Sequence, residues 1–218
     1  MFWSAEGNLT LVLILLTVLV FVIYPLTTAG MGSRAGVMVC ALLLIAGVPT
    51  VARFSKAAGW ANRFLAAGWV GVEMVIQFSP SFSLLVVESC LVILALLFLE
   101  IILTIQVFGP GAITAHRIRG AIAIYLLLGL SWAWIYRFIL LLAPGAIVYN
   151  GASDHPLVAG TNLLYFSFTT LTTVGYGDIA PVHAIARSLA NLEALTGQLY
   201  PAIFIGRLVT LAGSPDRK

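Results

Sequence analysis

A chain of 218 residues that is 61% hydrophobic and only 9% charged, with a mean hydropathy of +1.07, cannot be a soluble domain, where about a quarter of residues are charged. An integral membrane protein is expected. Eleven Lys/Arg against eight Asp/Glu leave a net charge of +3 spread thinly along the chain, which excludes the clustered basic footprint of a nucleic-acid binder.

Six apolar runs follow one another, at 9–26, 37–52, 64–78, 82–108, 120–143 and 185–211, separated by Pro25, the glycines of 30–36, Ser79-Pro80, Gly109-Pro110-Gly111 and Pro144-Gly145. A crossing uses about twenty apolar residues, so six crossings consume nearly the whole chain, and no cytoplasmic ligand-binding domain is expected. The first run lacks a basic segment ahead of it, Glu6 being the only preceding charge, and is read as a retained helix. Cleavage near Ala29 is the alternative. Cys40 and Cys90 lie inside apolar runs and read as small buried hydrophobes, not as a disulfide framework. The third run is the weakest, because Asn62, Arg63, Glu73 and Gln77 interrupt it, and a surface-lying amphipathic helix competes with a crossing there.

Charge favours the crossing. With six spans and an inside N-terminus, Arg53, Lys56, Arg63, Arg117, Arg119, Arg207, Arg217 and Lys218 collect on the cytoplasmic side, against Arg34, Arg137 and Arg187 outside or at the outer interface, so eight of eleven basic residues obey the positive-inside bias. A multi-pass cell-membrane protein with both termini cytoplasmic is expected.

Between the last two runs, 144–182 neither spans nor resembles a simple loop. Its semi-apolar stretch at 161–172 would make a helix of about 18 Å, which must enter the membrane and turn back; such an element is tolerated only where protein or a water-filled cavity surrounds it. The string that follows reads Thr172-Thr173-Val174-Gly175-Tyr176-Gly177-Asp178. In an extended conformation the carbonyls of Thr173, Val174, Gly175 and Tyr176, with the Thr173 hydroxyl, can line a tube and replace the water shell of a cation. Gly175 and Gly177 supply positive φ, which residues with a Cβ resist, and Tyr176 braces the tube from behind. The negative C-terminal end of the preceding helix favours a cation below it.

This string, with Asp178 after it and Thr169-Thr170-Leu171-Thr172 before it, resembles the selectivity filter of tetrameric potassium channels, and the resemblance covers about 111–211. It implies K+ held at Thr173, Val174, Gly175 and Tyr176 within a filter of Thr173 to Gly177, no organic cofactor, and Asp178 as the acidic residue of the outer mouth. Tyr165 and Phe166 then stand where the family packs aromatic residues around the filter, Arg187 starts the inner helix, Gly197 falls at the gating hinge, and Gln198 faces the cavity. Thr169 departs from the pattern, since some bacterial members carry a glutamate there bonded to the mouth aspartate. Tyr200-Pro201 adds a second flexible point, proline removing a helical hydrogen bond. Only one such string occurs, and four are needed around one ion, so a homotetramer is implied.

The remaining polar residues are read beside the bland alternative. Glu193, midway along the inner helix, either braces the re-entrant helix or filter through Thr169 or Thr170, or makes a simple interhelical hydrogen bond. Glu73, Glu88 and Glu100 suggest pairing with Arg53 or Arg63, or proton sensing. The run at 82–108 has two glutamates and no arginine or lysine, which disfavours voltage sensing. His116 and His183 read as solvated, Arg117 and Arg119 as contacts for lipid headgroups, and Arg137, after Trp132, Trp134 and Tyr136, as an interface anchor. The three histidines, His155 included, are too separated for a metal site, and no nucleotide loop or nucleophile elbow occurs.

The expected architecture is therefore an all-α integral membrane fold: a peripheral four-helix module at 1–110 and a pore domain at 111–218. The expected function is passive potassium conduction without conventional voltage gating. A non-conducting scaffold or regulatory subunit is the main rival. A membrane enzyme built on Glu73, Glu88 and Glu100 lacks convergent nucleophile or metal residues.

Overall fold

The computed structural model describes residues 5–23, 47, 55–109, 114–149 and 156–212. The second apolar run, apart from residue 47, lies outside them, as do Arg34, Cys40, Arg53, His155, Arg217 and Lys218. The described chain is mostly helical. Helix α1, Ala5–Val18, continues into a wider π-helical turn, Leu19–Ile23. Leu9, Val12 and Leu16, three or four residues apart, continue into Leu19 and Val20 of the turn as one buried stripe, and α1 packs against the helix at Ala115–Leu142.

Helix α2, Lys56–Phe78, starts eight residues ahead of the apolar run. The Ser55 hydroxyl caps it by accepting from the Ala58 N–H, and its buried face of Gly59, Asn62, Ala66 and Trp69 begins before the hydrophobic residues become continuous. Lys56 and Arg63 therefore belong to the helix and not to a connecting loop, and the Arg63 guanidinium lies 4.9 Å from the Trp60 ring centre. After a bond from Ser79 N–H to Val75 O of 2.9 Å, Pro80 stops the helix. Ser81 caps α3, Phe82–Phe108, and the three-residue connection makes α2 and α3 an antiparallel pair.

Helix α4, Ala115–Leu142, capped by Thr114, is the centre of the molecule, packing on α1 and α3 and on the two later helices. Among the described residues, α3 and α4 are the two helices long and apolar enough to cross a membrane. Polar contacts join them. Arg137 donates two hydrogen bonds to Glu88, at 3.3 and 2.7 Å, while its guanidinium lies 4.5 Å from the Trp134 ring centre. Ser131 donates to Glu100 at 2.5 Å. Among the described residues the ion-pair partner of Glu88 is thus Arg137 and not Arg63, because the start of α3 lies alongside the end of the antiparallel α4; Arg53 lies outside the described residues. Arg137 is a structural ion-pair partner as well as an aromatic-flanked residue.

After α4 come β1, Ile147–Tyr149; α5, Pro156–Leu171; β2, Ile179–Pro181; and α6, Ala184–Ala212. The strands, three residues each, pair antiparallel with Val148 opposite Ala180, a short connection within a mostly helical chain that agrees with the expected all-α fold. At the opposite end of the bundle, Arg117 donates to Gly109 O at 2.9 Å and Arg207 to Phe108 O at 3.1 Å, satisfying terminal carbonyls of α3. Arg119 donates to the Thr10 hydroxyl at 3.0 Å, so its partner in the structure is α1. These bonds gather the start of α1, the end of α3, the start of α4 and the last turns of α6 at one end.

Candidate functional site

Pro156 opens α5: at a first helical position its missing N–H costs nothing and its fixed φ is already helical. The helix so begins five residues before the expected 161, and its sixteen residues reach about 24 Å, still short of a full crossing. Its last carbonyls are satisfied by the string that follows. Thr172 N–H donates to Phe168 O at 3.0 Å, Thr173 N–H to Thr170 O at 2.9 Å, and Gly175 N–H to Thr169 O at 3.1 Å. The Thr172 hydroxyl adds a 2.6 Å bond to Phe168 O. Thr169 and Thr170 support the string through their backbone carbonyls; the Thr169 hydroxyl turns to Phe166 O at 3.0 Å and is not the strut of Asp178. Asp178 bears instead on the Tyr165 hydroxyl.

Every second residue of the string is left-handed, with φ of 60° at Thr173, 53° at Gly175 and 80° at Gly177. The two glycines meet the expectation from composition; Thr173 adds a third such position where a Cβ is disfavoured. Val174 and Tyr176, between them, have negative φ. Tyr176 is 72% exposed yet lies nearly parallel to Tyr165, with planes 3° apart and ring centres at 6.3 Å. Phe166 faces the other way, buried and edge-on to Tyr136 at 4.8 Å. Of the two aromatics, Tyr165 meets the string and Phe166 anchors α5 to α4. On the single chain, residues 172–177 are all exposed.

Helix α6 supports α5 from its middle. A Cβ on Gly197 would lie 1.7 Å from the carbonyl oxygen of Leu171, so only glycine permits this approach. The last residue of α5 thus sits halfway along α6, and the string climbs back from there towards β2 and the start of α6. The helix runs without interruption through Gly197 and Pro201. Gln198 is exposed. Tyr200, next to Pro201, donates to Ala121 O at 2.8 Å and sets its ring edge-on to Phe108. At the other end Arg187 donates to Pro181 O at 3.1 Å, and His183 accepts from the Ile185 N–H through Nδ1 at 3.3 Å, closing the turn between β2 and α6.

Glu193 is fully buried and reaches α5 through a residue that the sequence does not single out. Its Oε1 lies 2.6 Å from the Ser167 hydroxyl and its Oε2 accepts from the Tyr136 hydroxyl at 2.6 Å. Ser167 also donates to Gly129 O at 2.7 Å. Glu193 therefore joins α6 to α5 and α4 by interhelical hydrogen bonds through Ser167 and Tyr136, and not through Thr169 or Thr170. Ser167, a lone small hydroxyl between Phe166 and Phe168, and Tyr136 were legible only as apolar-face residues; the signal for their role was Glu193 itself, a carboxylate needing partners inside an apolar run.

The family model described as Ion channel matches residues 124–213. Protein LctB of Bacillus caldotenax is 33% identical over 110 residues, covering 49% of this chain and 80% of that protein. Two-pore potassium channel 5 of Arabidopsis thaliana is 36% identical over 91 residues, covering 40% of this chain and 19% of the relative. Inward rectifier potassium channel Kirbac3.1 of Paramagnetospirillum magnetotacticum is 36% identical over 62 residues, 28% of this chain and 20% of that one. The chain thus spans about a fifth of the length of these two potassium channels. No solved structure matches.

Proposed function

Because this chain belongs to the ion channel family, we propose that it is the subunit of a potassium-selective channel, in which four copies set their Thr173–Gly177 strings around one axis and pass K+ passively down its gradient. The observation that carries this reading is the alternation of left-handed Thr173, Gly175 and Gly177 with Val174 and Tyr176, directly after a helix that stops halfway along α6. Alternating handedness lets successive carbonyls share one side, the arrangement a dehydrated cation requires. Two of the relatives bear potassium-channel names.

The tetramer is inferred from incompleteness. One string offers one side of an ion's coordination shell, and on the single chain Val174, Tyr176 and the α6 residues Leu192, Leu195, Leu199 and Ile203 are exposed. Neighbouring subunits and lipid would cover them. In this arrangement Asp178 stands at the outer mouth, Gln198 faces the inner cavity, and Gly197 and Pro201 lie in the helix that gates. The six-span course, with both termini cytoplasmic in the cell membrane, is supported by the clustering of Arg117, Arg119 and Arg207 at the end of the bundle that also holds Thr10. Residues 1–110 form the peripheral module and 111–218 the pore unit.

Reconstitution in liposomes tests the reading: potassium flux blocked by barium and lost on replacing Gly175 is expected. An intact tetramer without flux would instead identify a scaffold or regulatory subunit, and equal sodium and potassium permeability would refute selectivity.

A further inference from the structure

The buried contact between α4, α5 and α6 contains more hydrogen bonds than its hydroxyl groups can supply. Three oxygen–oxygen distances define it: Ser167 Oγ to Gly129 O at 2.7 Å, Ser167 Oγ to Glu193 Oε1 at 2.6 Å, and Tyr136 Oη to Glu193 Oε2 at 2.6 Å. Each contact at such a distance needs one hydrogen. The Gly129 carbonyl supplies none, and Ser167 and Tyr136 supply one each. If Ser167 gives its hydrogen to Gly129, nothing remains for its contact with Glu193 unless the carboxyl group carries a hydrogen of its own. If Ser167 gives it to Glu193, two acceptors face each other at 2.7 Å in a fully buried site.

We infer that Glu193 is held as a neutral carboxylic acid, donating from Oε1 to Ser167 and accepting at Oε2 from Tyr136, and that this acid is a positioning residue for the string at 173–177. The hydrogen bonds then run in one direction, from Tyr136 to Glu193 to Ser167 to Gly129, with every group satisfied. The surroundings agree. Glu193, Ser167 and Tyr136 are each fully buried, and among the described residues the partners of the carboxyl are two hydroxyls and no cation. From α4 the titratable groups facing it are Tyr136 and, at longer range, Tyr125. From α5 it meets Ser167, while Tyr165 is turned towards Tyr176 and Asp178. A bare carboxylate in this position would be a buried charge without a counter-ion, a costly state inside a membrane.

The consequence is mechanical. Ser167 lies one turn before the end of α5, whose final carbonyls receive the N–H groups of Thr172, Thr173 and Gly175. The acid joins the middle of α6, the helix proposed to move in gating, to the element that sets the string. The positioning role rests on the channel reading above; the presence of the hydrogen does not.

Infrared spectra of the full-length protein in liposomes, wild type minus Glu193→Gln, test the hydrogen directly. A protonated-carboxyl C=O band present in the wild type and missing from the variant is expected; a carboxylate band in its place overturns the inference, whether or not the protein conducts. Glutamine can donate to Ser167 and accept from Tyr136 without charge, so Glu193→Gln should keep potassium flux and selectivity within about twofold, whereas Glu193→Leu should lower the potassium preference roughly tenfold, the scale of one lost buried hydrogen bond. Ser167→Ala provides the same test should the leucine variant fail to assemble. If Gln impairs selectivity as much as Leu, or if Leu and Ala leave it unchanged, the positioning role is wrong.

Discussion

Gly197, near the midpoint of α6, lies against the carbonyl of Leu171, the last residue of the re-entrant helix, with no room for a Cβ between them. The glycine that the resemblance marks as a hinge is therefore also a contact point, where the helix proposed to move touches the base of the string. Gly197→Ala should destabilise the assembly by about 1–3 kcal/mol or more, since the obstructing atom is backbone and cannot rotate away. Gly206→Ala, where an added Cβ meets nothing within 4 Å, should be neutral or stabilising by up to about 1 kcal/mol. Thermal unfolding of the two variants in detergent checks the contrast; equal behaviour would remove the packing role of Gly197.

The backbone of the string separates two kinds of substitution. Gly175→Ala or Gly177→Ala forces a side chain into a left-handed position at about 1–2 kcal/mol per copy, and loss of flux is expected while α1 to α4 stay folded. Thr173→Gly relieves the same strain at residue 173 but removes the hydroxyl. Stability equal to or above wild type, with a reduced preference for potassium over sodium, is expected from unfolding and flux measured together.

Arg137 and Glu88 tie the peripheral helix α3 to the outer helix α4 of the pore unit. The Glu88 side chain is 4% exposed and that of Arg137 30%, so Arg137→Ala should cost less than the about 3–5 kcal/mol of a fully buried pair, because water reaches the arginine. The exchange Glu88→Arg with Arg137→Glu should regain most of the loss. A double-mutant cycle on thermal stability gives the coupling, and a value near zero would show that the pair does not join the two parts.

Tyr165 holds Tyr176 by ring stacking and Asp178 through its hydroxyl. Tyr165→Phe should keep selectivity, because the stack survives, and change only the behaviour of the outer mouth. Tyr165→Ala loses an aromatic pair of about 0.5–1.5 kcal/mol and should widen selectivity. Single-channel recording of both separates the two functions of the residue.

Most of the helices were legible because apolar runs with clear breaks leave few alternatives: the connections at Ser79-Pro80 and Gly109, and the end of α4 near Pro144, fall where proline and glycine stand. The string was legible because Gly175 and Gly177 alternate with bulky residues. What could not be read was local or long-range. The three-residue strands β1 and β2 are too short to show an alternating pattern, and α2 starts at Lys56 because small residues, not hydrophobic ones, face its neighbour. The pairing of Glu88 with Arg137, and of Glu193 with Ser167 and Tyr136, depends on which helices become neighbours, which hydropathy does not encode. The left-handed Thr173 is set by its bond to Thr170 O, a consequence of how α5 ends and not of threonine's own preference.

The reversal potential of reconstituted channels under opposed potassium and sodium gradients tests potassium selection at Thr173–Gly177 most directly. A reversal close to the potassium equilibrium potential, lost when Gly175 is replaced, is the expected result. A reversal at zero, with the two cations permeating equally through an intact tetramer, would contradict it.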